Sequence, residues 1–316
     1  MILLIGGLGF IGMHTTRQLL DAGESVVATY FSILRLPEFL KDEVGKGLSV
    51  ARMDVSKPFE VFDIVRQYRV ESVIDLMAPP ARGTSPHFDY HMYTAGLQNV
   101  LESARVFGLK RVSLGSSGSV YAGLPEGPYR EDMLLPIESR TQVEAFKKSM
   151  EIQAFHYADR ADLNVVSLRI GSIYGPLYYS MFNAASRMCH AALKGEEPDF
   201  SDRPGGAIFA EDAQDWTYVK DVARGIRMVH TAETLNHRIY NVSAGRATSN
   251  QETYAAVRQA IPEAQCSALR PGRAPNAANN PAMDLSRVRA DIGYEPEYNI
   301  ERGIAEYIEW LRGNPL

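Results

Sequence analysis

The chain has 316 residues, 45% hydrophobic and 22% charged, enough for a sizeable core and the profile of an ordinary globular protein. A formal net charge of −5 argues against nucleic acid or an anionic membrane surface as partners. The seven histidines are scattered and no Cys-x-x-Cys pair occurs, so no metal site is expected.

The run MILLI at the start predicts a strand. It breaks into glycines after five residues, too soon for a signal-peptide core or a membrane span, so a cytoplasmic protein is expected. IGMHTTRQLLDAG predicts a helix closed by Gly23, and SVVATY a second strand. After a loop and helix, LSVARMD, SVIDLMA, RVSLGSS and VVSLRIG continue the series of strands. Helical stretches such as TAGLQNVLESARVFG separate them, and SRTQVEAFKKSMEIQ (139–153) reads as another, with Val143, Lys147 and Glu151 on one face. Apolar strands alternating with helices predict right-handed crossovers and an α/β fold with a doubly wound parallel sheet. After residue 175 the rhythm changes to the polar AALKGEEPDFSDRP and the loop RPGRAPNAANNPAMD. NIERGIAEYIEWLR then places Ile300, Ile304, Tyr307, Ile308 and Leu311 at helical spacing. Cys189 and Cys266, far apart, are read as buried thiols in a reducing compartment.

GGLGFIG sets Gly6, Gly9 and Gly12 at three-residue spacing between a strand and a helix. Such glycines allow a tight turn, close approach of backbone to a pyrophosphate, and close helix–strand packing, with Phe10 and Ile11 opening the helix. This spacing resembles the short-chain dehydrogenase/reductase superfamily, and more of the chain resembles its extended branch, the NAD-dependent epimerase/dehydratase family. The residues that carry the likeness are ARMDVSKP, LMAPPA, SLGSSGSVYAG, LRIGSIYGP, DWTYVKDVARGI, YNVSAG and the C-terminal stretch from DLSRVRADIGY onward. The resemblance implies a Rossmann-type dinucleotide-binding domain of residues 1–174 plus 213–245. Residues 175–212 plus 246–316 would form a smaller, mixed substrate lobe. It implies cofactor contacts from Asp54 and Val55, from Leu76, Met77 and Ala78, and from Ile170.

NAD-binding members of that family carry an acidic residue at the end of the second strand. Here Tyr30 stands there, and Ser32 and Arg35 follow, which could contact a 2′-phosphate. NADP is therefore expected ahead of NAD.

Ser117, four residues before Tyr121, matches the family's catalytic serine or threonine. Lys147 and Glu151 match its KxxxE, which puts Val143 where the family has the tyrosine that moves the proton. No tyrosine occurs between Tyr129 and Tyr157, so no other register restores one. Such an acid–base group contributes ~10²–10⁴ in rate. Lys147 can still hold the nicotinamide ribose. In lacking the tyrosine the chain is similar to a ketoreductase of the simocyclinone polyketide pathway. An atypical ketone/alcohol reductase, with proton transfer assisted by substrate, water or Ser117, is the expected activity. A nucleotide-sugar epimerase or dehydratase, and a cofactor-binding regulatory protein without turnover, are the alternatives. Glu144 is expected to face solvent or a helix partner. Tyr121 and Tyr174 are candidates to swing a phenol toward the site, and Tyr178 and Tyr179 freer ones.

Ser119, Tyr121, Val143, Tyr178 and Tyr179 are candidate substrate contacts beside Ser117. Family members that take nucleotide diphosphate sugars clamp the diphosphate with an arginine where this chain has Gln214, while Arg270 matches a second clamp. Ser172 stands where the family has asparagine, and Tyr93 likewise. Arg82, His87 and His91 are placed at the pocket mouth, the histidines as surface residues. The expected partners are a small-molecule substrate and, from the resemblance, a second copy of the chain through helices near 91–107 and 142–158.

Overall fold

The computed structural model describes residues 1–78 and 85–314. The expectation for Arg82 falls outside these residues. In chain order the first elements are β1 (Ile2–Ile5), α1 (Phe10–Asp21), β2 (Val26–Tyr30), α2 (Glu38–Lys41), β3 (Leu48–Arg52), α3 (Pro58–Gln67) and β4 (Ser72–Asp75). There follow α4 (Pro86–Phe107), β5 (Arg111–Ser117), α5 (Gln142–Ala161), β6 (Val165–Ile170), β7 (Ser172–Tyr174) and α6 (Ala184–Lys194). The remainder comprises β8 (Ile208–Phe209), β9 (Ala213–Gln214), β10 (Trp216–Tyr218), α7 (Val219–Thr231), β11 (Ile239–Val242) and β12 (Thr248–Ser249). α8 (Asn250–Ala260), β13 (Leu269–Arg270), α9 (Ser286–Ile292) and α10 (Ile300–Gly313) close the chain.

Seven strands form one parallel sheet in the order β11-β6-β5-β4-β1-β2-β3. The apolar runs explain why. β1 and β6 are buried along their whole length, and alternate residues feed opposite faces. Leu3 and Ile5 join Val27, Val73, Leu114, Val100 and Ala154 under α3, α4 and α5. Ile2 and Leu4 join Ala28, Leu19, Ile226 and Val242 under α1 and α7. The strand order reverses between β1 and β4, and that switch point opens a crevice at the carboxyl ends of the strands. A third core packs α6, α8 and α10 around Tyr174, Trp216 and Tyr218, and it buries the five α10 residues read at helical spacing.

The boundaries differ from the sequence reading where caps decide them. α4 starts at Pro86, eight residues before the helical stretch read at Thr94, because the Ser85 hydroxyl accepts from Phe88 N and Pro86 fits the first turn. α5 starts at Gln142, because the Thr141 hydroxyl caps Glu144 N at 3.3 Å; Ser139 and Arg140 lie outside the helix. AALK belongs to α6, not to the polar segment after it. Cys189 and Cys266 are free and buried.

Candidate active site

At the switch point the β1–α1 turn is shaped by its glycines. Gly6 sits at φ +71°, and a Cβ on Gly12 would lie 2.1 Å from the Gly6 carbonyl oxygen. Gly9 is the N-cap of α1 and, having no side chain, leaves the first-turn N–H groups uncapped; no acidic residue occupies that turn. A helix N-terminus offering free N–H groups beside a backbone that no side chain blocks fits a pyrophosphate. Phe10 and Ile11 flank it, half-buried.

Tyr30, half-buried, ends β2, and Ser32 and Arg35 follow on the exposed loop. The Arg35 guanidinium lies 4.8 Å from the Tyr179 ring centroid, and Tyr178 packs edge-on against Phe10 at 5.0 Å. The structure thus sets Tyr178 against the start of α1 and Tyr179 against the loop after β2, and neither is among the residues lining the cleft of Ser117, which corrects their assignment as contacts beside it. Asp54 accepts from Ser56 N at 3.0 Å and Ser56 Oγ at 2.7 Å at the end of β3, and Val55 is buried behind it.

Lys147 is buried, and its Nζ donates to the Met77 carbonyl at 2.7 Å, just past the end of β4. Leu76 and Met77 are half-buried and Ala78 exposed along the same edge. Burial pulls the Lys147 ammonium down to about 8, against the opposing pull of the Asp75 and Glu151 carboxylates. Asp75 is itself buried and pushed up by burial, although its carboxylate accepts from Met77 N at 2.9 Å. Val143, half-buried, lies one turn before Lys147 and offers only methyl groups. Lys148 points elsewhere and donates to the Pro136 and Glu138 carbonyls. Glu144 does not face solvent: it is buried, and its carboxylate accepts from Arg140 N at 2.8 Å, closing the N-terminus of α5.

Ser117, Ser119, Arg140, Ile170, Ser172, Gln214 and Asp215 line an open cleft of about 1420 Å³. The Ser117 hydroxyl accepts from Ser119 N at 3.1 Å, so its own proton is free for a ligand oxygen. The Ser119 hydroxyl is buried with no protein partner. Ser172 Oγ donates to Gln214 Oε1 at 3.1 Å, so two of the departures from the family pattern touch each other. Asp215 ties the cleft wall together by accepting from Ala244 N, Met283 N and Ser243 Oγ; burial still pushes it up to about 6. Arg270 lies on β13, where its guanidinium donates to the Gly205 carbonyl.

Two further assignments change. Tyr121 is fully buried under the cleft, its hydroxyl donating to Asn241 Oδ1 at 2.8 Å and accepting from Arg169, and burial pushes it up to about 12. It supports the wall from beneath. Tyr174 is equally buried, its hydroxyl against Gly303, and cannot swing. His87 and His91 are exposed and stack at 6.4 Å on α4, and no group of three or more ligating residues occurs among the described residues. The sequence reading passed over Asp75, Arg140 and Asp215, although all three stood inside quoted stretches, SVIDLMA, SRTQVEAFKKSMEIQ and DWTYVKDVARGI.

Comparison with known proteins agrees with this geometry. The model of the NAD dependent epimerase/dehydratase family matches residues 2–243. A UDP-glucuronate 4-epimerase of Thermodesulfobacterium geofontis is 26% identical over 99% of this chain and 96% of its own. A UDP-glucose 4-epimerase of Mycolicibacterium smegmatis is 25% identical over 98% of each. Among solved structures, the UDP-glucose 4-epimerase of Thermotoga maritima with UDP-glucose superposes with a TM-score of 0.83 at 22% identity, over 99% of this chain and 98% of that one. The Thermus thermophilus UDP-glucose 4-epimerase complex with NAD does so at 0.79 and 24%, over 99% of both. The chain belongs to the NAD-dependent epimerase/dehydratase family.

Proposed function

We propose that the chain is an NAD(P)-dependent enzyme that interconverts a secondary alcohol and a ketone on a nucleotide-sugar substrate, as an epimerase or dehydratase does. The observation that carries this is the placement of buried Lys147 at the β4 edge, beside the uncapped α1 cradle and on the sheet end where Ser117 opens into the cleft. The nucleotide-sugar class rests on the relatives, which are named as such 4-epimerases across nearly the whole chain. The ketone reductase expected from the sequence takes second place for that reason. What favours it is the neutral Ser172–Gln214 pair where a charged diphosphate clamp is expected.

In this reading Gly9, Phe10, Ile11 and Gly12 hold the pyrophosphate, and Lys147 holds the nicotinamide ribose hydroxyls. The bound nicotinamide supplies hydride exchange. Ser117 donates to the substrate oxygen, Ser119 adds a second hydroxyl, and Arg140 stands at the cleft wall with a permanent charge for an anionic substrate group. Arg35 and the missing carboxylate at Tyr30 favour NADP, whereas neighbours in the fold bind NAD. The lobes expected at 1–174 plus 213–245 and 175–212 plus 246–316 would enclose the cleft.

Fluorescence quenching with NADH and NADPH tests the first step, and failure to bind either sinks the reading. With a binder in hand, UDP-glucose, UDP-glucuronate and a panel of aryl ketones are compared. Turnover of a ketone and of neither sugar nucleotide would return the reductase to first place.

A further inference from the structure

Val143 leaves the family's proton-transfer position empty of chemistry, yet a phenol on α4 lines the same small hollow as Lys147. Tyr93, on α4, is half-buried, and its hydroxyl donates to the Ala78 carbonyl at 2.5 Å. Lys147 Nζ donates to the preceding carbonyl, that of Met77. The two side chains therefore arrive from different helices on consecutive carbonyls at the end of β4. They also line one small hollow, together with Asp75, Met77 and Phe146. The Tyr93 ring rests on Phe146, the residue before Lys147, with centroids 4.6 Å apart. This contact fixes the phenol to the helix that carries the lysine. Tyr93 is itself one of the positions where the chain departs from the family pattern, and it departs by gaining what Val143 has lost.

We propose that Tyr93, beside Lys147, supplies the proton-transfer group that position 143 lacks. The inference rests on the cofactor-binding reading above. In the reducing direction a bound reduced nicotinamide would supply hydride to the substrate carbonyl carbon, and the carbonyl oxygen would take the electron pair of the broken C=O π bond. The phenol O–H bond then breaks and an O–H bond forms on the substrate, with the bonding electron pair left on the phenolate oxygen. A proton from the Lys147 ammonium restores the phenol, and solvent restores the ammonium. Oxidation runs the same transfers backwards. Burial holds the phenol protonated, and the charges of Asp89 on α4 and Asp75 on β4 add to that, while Lys147 on α5 lines the same hollow. An added positive charge, as an oxidised nicotinamide carries, stabilises the phenolate and moves its titration down.

The test uses the full chain, Tyr93→Phe, which keeps the ring on Phe146, and Val143→Tyr in both backgrounds. Phenolate absorbance is titrated with and without saturating NAD⁺ or NADP⁺, whichever binds. The signal lost in Tyr93→Phe is expected to move down by at least about one pH unit when the oxidised cofactor binds, the shift of 1.4 kcal/mol in differential stabilisation. NADH and NADPH affinities are expected within about threefold of wild type in Tyr93→Phe, under ~1 kcal/mol. With whichever of UDP-glucose, UDP-glucuronate or aryl ketone the wild type turns over, Tyr93→Phe is expected to lose ~10²–10⁴ in kcat. Adding Val143→Tyr to it restores at least about tenfold, 1.4 kcal/mol of the barrier. A phenolate titration unmoved by a cofactor that binds would overturn the proposal, whether or not a substrate has been found. So would loss of cofactor affinity in Tyr93→Phe with kcat unchanged, which is the behaviour of a residue that only pins Ala78. Absence of cofactor binding to the wild type would instead remove the reading beneath it.

Discussion

Glu151 and Arg169 form a buried, two-pronged ion pair: Glu151 Oε1 accepts from Arg169 Nε at 3.1 Å and Oε2 from Nη2 at 2.7 Å. Ser167 Oγ also donates to Oε1, and Arg169 continues to the Tyr121 hydroxyl and the Glu131 carbonyl. The pair thus bolts α5, which carries Lys147, to β6 beneath the cleft. Removing one charge strands the other away from water. Glu151→Ala is expected to cost about 3–5 kcal/mol, read as a lowered urea midpoint at unchanged slope. Combining it with Arg169→Met should recover part of that loss. A loss below about 1 kcal/mol, the size of a surface pair, would show that water reaches the pair.

The turn at Gly12 tolerates no side chain, because a Cβ there would meet the Gly6 carbonyl at 2.1 Å and Gly7 Cα at 2.7 Å. These are backbone atoms of the turn proposed to cradle the phosphates, so relief requires that turn to open. Gly12→Ala is expected to weaken NADH or NADPH binding by at least about tenfold, 1.4 kcal/mol, in a quenching titration. Unchanged affinity in a folded variant would mean that the cofactor does not sit on α1.

The fold was legible because its strands announce themselves. Runs such as ILLI and VVSLRI, mostly apolar, buried along their whole length and separated by helical stretches, permit little besides a covered parallel sheet. Lys147 was legible through its spacing to Glu151. The start of α5 was less so, since whether Thr141 or an earlier residue caps the helix depends on where its hydroxyl reaches. Tyr121 misled for a related reason: its place in a motif says nothing about which side of the cleft wall its ring occupies. Tyr93 could be noticed as a departure, but its meaning comes from α4 packing on α5, a contact between residues more than fifty apart that no local pattern encodes.

His14 faces the Pro176 carbonyl from inside α1, with Nε2 at 3.0 Å, which fixes the neutral ring with its proton on Nε2. Burial holds its pKa down at about 4 against the ordinary 6.5, aided by the charge of Lys220. The folded value is depressed, so the unfolded chain takes up the proton first as pH falls. The stabilising contribution is complete above pH 6.5 and is lost on the way down to about 4. The loss amounts to about 3 kcal/mol. His14→Gln retains an N–H for Pro176 and removes the titration. Urea midpoints measured across that window are expected to fall less steeply for it than for wild type. Part of the slope remains, because buried His230, held between the Ser72 and Ser113 hydroxyls, is depressed to about 3. Identical slopes would place the acid sensitivity elsewhere.

The choice between the two nicotinamide cofactors turns on Arg35. It is exposed, stacked on Tyr179, and makes no ion pair among the described residues, so its charge is free for a phosphate at the end of β2. No carboxylate at Tyr30 opposes such a phosphate. If Arg35 pairs with a 2′-phosphate, Arg35→Ala weakens NADPH by about tenfold and leaves NADH within about twofold, since only the former loses a charge-assisted bond. The NADPH deficit should also shrink as salt is raised, because a solvent-exposed pair is screened. If the stacking on Tyr179 is the residue's whole role, the variant disturbs the loop over Phe10 and Tyr178 instead. Both cofactors then weaken together, without salt dependence, and the preference for NADP falls.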